Sequence, residues 1–146
     1  MFPDPPPNRS EFPVLWPIST RWSDNDVYGH VNNVIYYSWF DTAVNGWLMH
    51  ATGTDIRQLD ALGVVVETAC RFRFEVSFPG DVQIGLRAAR IGTSSVTYQL
   101  AVFGDQQEDP AALGHFVHVY VGHESRRPTP VPDVVRRALD TVGAGE

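Results

Sequence analysis

The sequence predicts an α+β fold in which a curved antiparallel β-sheet wraps around one long central α-helix. Three observations predict it. Between residues 33 and 51 apolar residues recur at helical spacing, with Tyr36, Phe40, Ala43 and Trp47 on one face. Beyond residue 62 the period changes to two and persists through four runs joined mainly by short turns, and successive hairpins favour antiparallel pairing. Trp39 and Trp47 give the helix a bulk that suits burial inside a curved sheet better than contact with a flat one.

Each element has its own signals. Residues 1–13 carry five prolines and no periodicity and read as an extended, partly mobile arm, which leaves 14–146 as one domain. Val14 to Trp22 is a first strand, bent at Pro17. Asn32 suits the cap of the helix from Asn33 to about Ala51, since its side chain can accept from an orphan N–H. Gly46 lies inside that helix and costs about 1 kcal/mol against alanine, yet the apolar spacing continues through Trp47 and Leu48. Phe72, Phe74, Val76 and Phe78 then alternate with Arg71, Arg73, Glu75 and Ser77 as a strand, turned at Pro79-Gly80-Asp81. Val82, Ile84, Leu86 and Ala88 begin the next inner face. Gly92-Thr93-Ser94 makes the hairpin into Val96, Tyr98, Leu100 and Val102. A polar loop from Gly104 to Pro110 precedes a last strand carrying Val117, Val119 and Val121. Pro128, Pro130 and Pro132 then lead to a short helix from Asp133 to Val142.

Composition narrows the function classes. Of 146 residues 43% are hydrophobic and the net charge is −6, which fits a globular chain and speaks against broad nucleic-acid binding. No apolar run approaches the ~20 residues a membrane helix needs, and the N-terminus has neither a basic start nor an apolar run. A cytoplasmic protein is therefore expected. Cys70 is the only cysteine, so no internal disulfide forms, and without a neighbouring His or helix start its thiol is expected to be inert. All eleven basic residues are arginine.

The chemistry concentrates in Asp24-Asn25-Asp26-Val27-Tyr28-Gly29-His30-Val31-Asn32-Asn33. This run holds two carboxylates, an imidazole and amides, and hands over directly to the helix. A helix N-terminus offers unpaired N–H groups and a partial positive charge. A carboxylate beside it can activate water or attack a carbonyl carbon while the helix end polarises the carbonyl oxygen. Acyl chemistry is the expectation. Other readings of the chain fail on spacing. A calcium loop starting at Asp24 would place Tyr28 and Ile35 where oxygen ligands are needed. His115 and His118 differ by an odd number, so a strand sends them to opposite faces and they cannot share an ion. Ser94-Ser95 lacks a Gly-x-Ser-x-Gly elbow. No metal site and no cofactor is expected.

With Asp24, Asp26, Gly29, His30, Val31, Asn32, Asn33 and Tyr36 in place, the chain resembles the 4-hydroxybenzoyl-CoA thioesterase-like branch of the hotdog-fold superfamily. Looser matches follow at Gly63 to Val66, Arg90 to Val96, and Arg127-Pro128 leading to Pro132-Asp133. The resemblance implies a hotdog fold and metal-free hydrolysis of an acyl-CoA or acyl-carrier thioester. It also implies a homodimer, often paired into a homotetramer, with active sites at subunit interfaces. It places the catalytic carboxylate on Asp26, the family histidine on His30, and the carbonyl-polarising N–H on Asn33. Val31, Tyr36, Phe40, Ser95 and Val96 are expected to contact the substrate, and Arg90, Arg126 and Arg127 the phosphates of coenzyme A. Competing readings are a hotdog hydratase or dehydratase of enoyl thioesters, and a non-catalytic thioester-binding subunit. Asp26 weakens the latter, because a pure binder needs no base there.

Overall fold

Asn32 starts the long helix as its side chain predicts. Its Oδ1 accepts from the Val34 N–H at 3.2 Å, and helix α1 runs Asn33–Thr52 before Gly53 ends it. In the computed structural model, which describes residues 1–143, this helix is served by five strands: β1 (Val14–Ser19), β2 (Ala61–Phe72), β3 (Asp81–Ile91), β4 (Ser95–Gly104) and β5 (Ala112–Gly122). The end of the expected 14–146 domain, residues 144–146, lies outside the described residues. The strands form one antiparallel sheet in the order β1-β3-β4-β5-β2. Irregularities at Val65/Glu67 in β2 and Ala88/Arg90 in β3 break the ladder. Such bulges bend a strand and sharpen its twist, which curves the sheet toward the helix.

The core lies between α1 and one sheet face. Tyr36, Trp39, Phe40, Ala43, Val44, Trp47 and Leu48 are buried against Ile84, Leu86, Val96, Tyr98, Leu100, Val102 and Phe116. Burying each large apolar side chain contributes roughly 1.5–3 kcal/mol. Helix α2 (Asp133–Asp140) adds Val135, Ala138 and Leu139 to the same core. Gly46, costly by propensity, has a packing reason: a Cβ there would stand 2.6 Å from the Trp16 ring on β1. The glycine lets the indole lie directly on the helix.

Three details depart from the periodicity. Strand β2 ends at Phe72, so residues 73–78 are not the strand that the alternation suggests. Their backbone is engaged elsewhere. Arg73 and Phe74 N–H both bond the Ala111 carbonyl, at 2.8 and 3.1 Å, the Val76 carbonyl accepts from Val31 N–H at 2.9 Å, and Phe78 N–H donates to Asn25 Oδ1 at 3.0 Å. Ala111 takes the first two groups and the motif loop the other two, so these residues do not continue the ladder. In β5, Phe116, His118 and Tyr120 face the core, while Val117, Val119 and Val121 lie half-buried on the outer face. The proline-rich N-terminal segment is laid against that outer face. Phe12 is buried with Ala101, Phe103 and Leu113, and Arg9 holds the carbonyls of Gly104 and Gln107 at 2.9 Å each. Among the described residues no helix is long and apolar enough to cross a membrane.

Candidate active site

Backbone hydrogen bonds shape the motif loop before any side chain acts. Trp22–Asp24 form a single 3₁₀ turn, closed by the fully buried Asp24. Its carboxylate accepts from the Arg21 N–H at 2.8 Å and from the Arg21 guanidinium at 2.8 and 3.0 Å. Asn32 N–H reaches the Asp24 carbonyl at 2.8 Å, and Asp26 N–H reaches the His30 carbonyl at 2.8 Å, so the loop returns on itself. Gly29 turns it with φ at +83°, a conformation that favours glycine because a Cβ would crowd the backbone.

The result is an open cavity of about 770 Å³ at the N-terminus of α1. Asp26, His30, Val31, Asn33 and Tyr36 all line it. Asp26 is fixed through one oxygen: Oδ1 accepts from Tyr28 N–H at 2.8 Å and from His30 N–H at 3.4 Å. Among the described residues nothing takes its Oδ2, and nothing takes the N–H of Asn33, the first residue of the helix. A carboxylate oxygen and a backbone N–H, both without a partner among the described residues, thus line one cavity, a pairing that acyl transfer can use. The His30 imidazole is held by Glu75, Nε2 to Oε2 at 2.9 Å. Tyr36 is 3% exposed, and burial pushes its phenol up to about 12, so it stays protonated at the cavity wall as a neutral hydrogen-bonding group.

A family model described as the thioesterase-like superfamily matches residues 20–139. The chain belongs to that superfamily. Its structure superposes on the PA5185 protein from Pseudomonas aeruginosa strain PAO1 with a TM-score of 0.91 and 47% identity, covering 95% of this chain and 97% of that one. It is also similar to a thioesterase from Thermus thermophilus solved with coenzyme A and zinc. There the TM-score is 0.75 and the identity 25%, over 90% of this chain and 95% of that one. A 1,4-dihydroxy-2-naphthoyl-CoA thioesterase from Synechocystis shares the fold at a TM-score of 0.79 and 13% identity, over 86% of this chain and 94% of that one. The architecture is the hotdog fold, and family and fold together make this chain an enzyme of the thioesterase class.

Within this thioesterase chain the remaining expected residues fall elsewhere. Phe40 and Val96 have no exposed surface and sit in the core, so in this chain they pack and do not line the cavity. Ser95 opens β4 beside the hairpin, opposite Val119. Arg90 lies near the end of β3, and Arg126 and Arg127 follow β5. The sheet register puts all of these at the end away from the motif loop. Phe72 at the cavity pairs with Ala112, whereas Ala61 at the far end of β2 pairs with Gly122. Conversely, Phe72, Arg73, Phe74 and Glu75 line the cavity although their alternation reads as a strand with no role in the site. Glu75 in particular lies 45 positions from His30 in the chain. The signal that could have found it is the turn residues Pro79-Gly80 just beyond a charged, aromatic run, which mark a loop as readily as a strand end.

Proposed function

We propose that this thioesterase-family chain hydrolyses an acyl-CoA or acyl-carrier thioester to a free acid and a thiol. The observation that carries the reading is the unengaged Asp26 Oδ2 in the same cavity as the unengaged Asn33 N–H. The thioester carbonyl oxygen accepts from that N–H, where the helix dipole favours developing negative charge. Oδ2 then attacks the carbonyl carbon to give an anhydride and release the thiolate, and water opens the anhydride to free the acid and restore the carboxylate. On the other route Oδ2 takes a proton from the water that attacks the carbonyl carbon directly. Thiolate leaves readily, so the carboxylate and the helix terminus suffice without a full triad. Glu75 fixes the His30 ring, which lets His30 orient the substrate at the cavity. The carriage of CoA by the Thermus thermophilus relative, and the naming of CoA thioesters as substrates of other hotdog structures, support coenzyme A as the carrier.

The test is free-thiol release from a panel of aryl-, short- and long-chain acyl-CoA substrates, run beside an assay of enoyl-thioester absorbance. Thiol release by the wild type, lost in Asp26→Asn, supports hydrolysis. Loss of enoyl absorbance without thiol release assigns the chain to hydration instead. Single turnover in ¹⁸O-labelled water tests the anhydride route: label in the Asp26 carboxyl shows that an anhydride formed and that water opened it on the Asp26 side.

A further inference from the structure

The outer face of the sheet, turned away from α1, carries an apolar patch. At one register Leu15, Gly85, Ala101, Leu113 and Arg71 cross it from edge to edge, one from each strand. The first four are apolar, and Phe103 packs with them. The next row on this face is polar: Arg87 donates to Gln99, and His115 beside Gln99 pairs with Glu67. Water suits that row, whereas the apolar patch needs a cover.

Residues 1–13 supply the cover through several anchors. Gly85 is the seat of Phe12: a Cβ there would stand 2.7 Å from the Phe12 ring, so only glycine lets the ring lie against β3. Phe12 meets Phe103 edge to face, with 5.7 Å between centroids. The Arg87 guanidinium lies 5.0 Å over the Phe12 ring and donates to the Glu11 carbonyl at 3.2 Å. Arg9 donates to Gln83 Oε1 on β3, beside its bonds to Gly104 and Gln107, and its own N–H reaches the Glu108 carbonyl at 2.9 Å. Asn8 and Glu11 cap the 3₁₀ turn Arg9–Glu11 reciprocally, which fixes the spacing between Arg9 and Phe12. At the far end the Phe2 ring lies 4.8 Å from the Arg71 guanidinium on β2. The arm therefore spans the face from β1 at one edge to β2 at the other, while the free edge of β2 keeps its unpaired backbone.

Without the arm, Phe103 and Leu113, now 0% and 1% exposed, would meet water in a patch that holds no ionisable side chain. Such a patch steers no charged partner. Another copy of the chain brings the same patch, a two-fold axis sets like on like, and apolar sheet faces stack about 10 Å apart. We propose that the arm is a built-in stop to that association: it occupies the surface through which the sheet would otherwise stack on the sheet of a second copy. Pairing along the β2 edge uses a different surface and stays open.

The experiment uses the full chain, with Arg9→Ala and Phe12→Ala combined to free the arm. Hydrogen exchange follows the N–H groups of residues 9–12, and light scattering follows mass over a concentration series. Expected are exchange faster by about tenfold or more at those groups, and a mass that rises with concentration to about twice the wild type's. A peptide of residues 1–13 in excess should return the mass to the wild-type value. So should Phe103→Asp added to the double variant, because stacking would bury its charge. Gly85→Ala crowds the Phe12 ring but keeps Arg9 and Phe12. It should raise exchange and mass in the same direction, and it covers the case in which the double variant fails to fold. The proposal is overturned if the arm stays protected without its anchors, or if a freed arm leaves the mass unchanged. It is also overturned if the mass grows without limit, or if neither the peptide nor Phe103→Asp reverses the rise. Exchange and mass are read, not hydrolysis, so failure here leaves the thioesterase reading standing.

Discussion

Asp26 carries the strongest residue-scale prediction. Its Oδ1 is committed to loop amides, so Asp26→Asn keeps the size and one acceptor oxygen while removing the reactive one. Turnover should fall by about 10²–10⁴-fold with thioester binding retained, measured as kcat against Kd on a variant with native circular dichroism. Near-normal kcat would remove Asp26 from the mechanism. Among the described residues no three or more His, Cys, Asp or Glu side chains are grouped to hold a metal ion, so activity should survive exhaustive chelation and dialysis. Recovery of a chelated, inactive enzyme on adding zinc would overturn that. His118 adds a pH dependence. Its folded pKa, about 4, lies below the ordinary 6.5 because burial disfavours the charged ring, and Tyr98 and Tyr120 beside it stay neutral since burial raises both phenols. The unfolded chain therefore binds the extra proton first as pH drops. Stability is fully present above about 6.5 and is lost as pH falls toward about 4, on the order of 3 kcal/mol from this group. Urea midpoints between pH 4 and 7 should fall less steeply in His118→Phe than in the wild type, and parallel curves would show that the ring is not buried neutral.

At the scale of elements, α1 was legible because its apolar face, its Asn32 cap and its length all agree. Strands β3 and β4 were legible because each inner face alternates without interruption. The strand that the sequence places over Phe72 to Phe78 was not. The alternation there is real, but the backbone partners are Ala111 for Arg73 and Phe74 and the motif loop for Val76 and Phe78, 53 positions away for Phe78 and Asn25, and no local pattern encodes them. The same gap hid Glu75, whereas Asp26, His30 and Asn33 were visible because one loop and one helix start deliver all three. Gly46 shows propensity overruled by packing, and it can be tested. Alanine is the better helix former by about 1 kcal/mol, yet its Cβ would meet the Trp16 ring at 2.6 Å, and overpacking costs about 1–3 kcal/mol. Gly46→Ala should lower stability, and the loss should disappear, or reverse to a gain, in a Trp16→Leu background. A double-mutant cycle in urea measures that coupling. Additive effects would mean that the indole does not hold position 46 to glycine.

At the scale of the molecule, a thioester held at Asp26 would meet the far-end residues only through a second chain. Arg90, Ser95, Arg126 and Arg127 stand at the end of the sheet opposite Asp26, so one chain cannot present them to its own cavity. Strand β2 supplies the remedy. It is an edge strand of 12 residues, paired with β5 on one side only, and Val65 and Val66 are exposed on it at 43% and 58%. An unpaired edge of that length is a template for a second strand. Antiparallel pairing of β2 with its own copy about a two-fold axis near its middle sets Phe72 of one chain beside the start of β2 in the other. The partner's far end, with its arginines, then comes alongside the Asp26 cavity. The expected outcome is that the protein is a dimer, or a tetramer built from that dimer, and that a monomer is inactive. Val66→Lys places a charge on the pairing edge at a position that the monomer leaves exposed, so it should keep the fold, shift the mass measured by light scattering to that of one chain, and abolish thiol release. Mass and activity followed together over a concentration series of the wild type should fall together on dilution. A monomer that hydrolyses thioesters at the full rate would dismiss the shared site, and the far-end arginines with it.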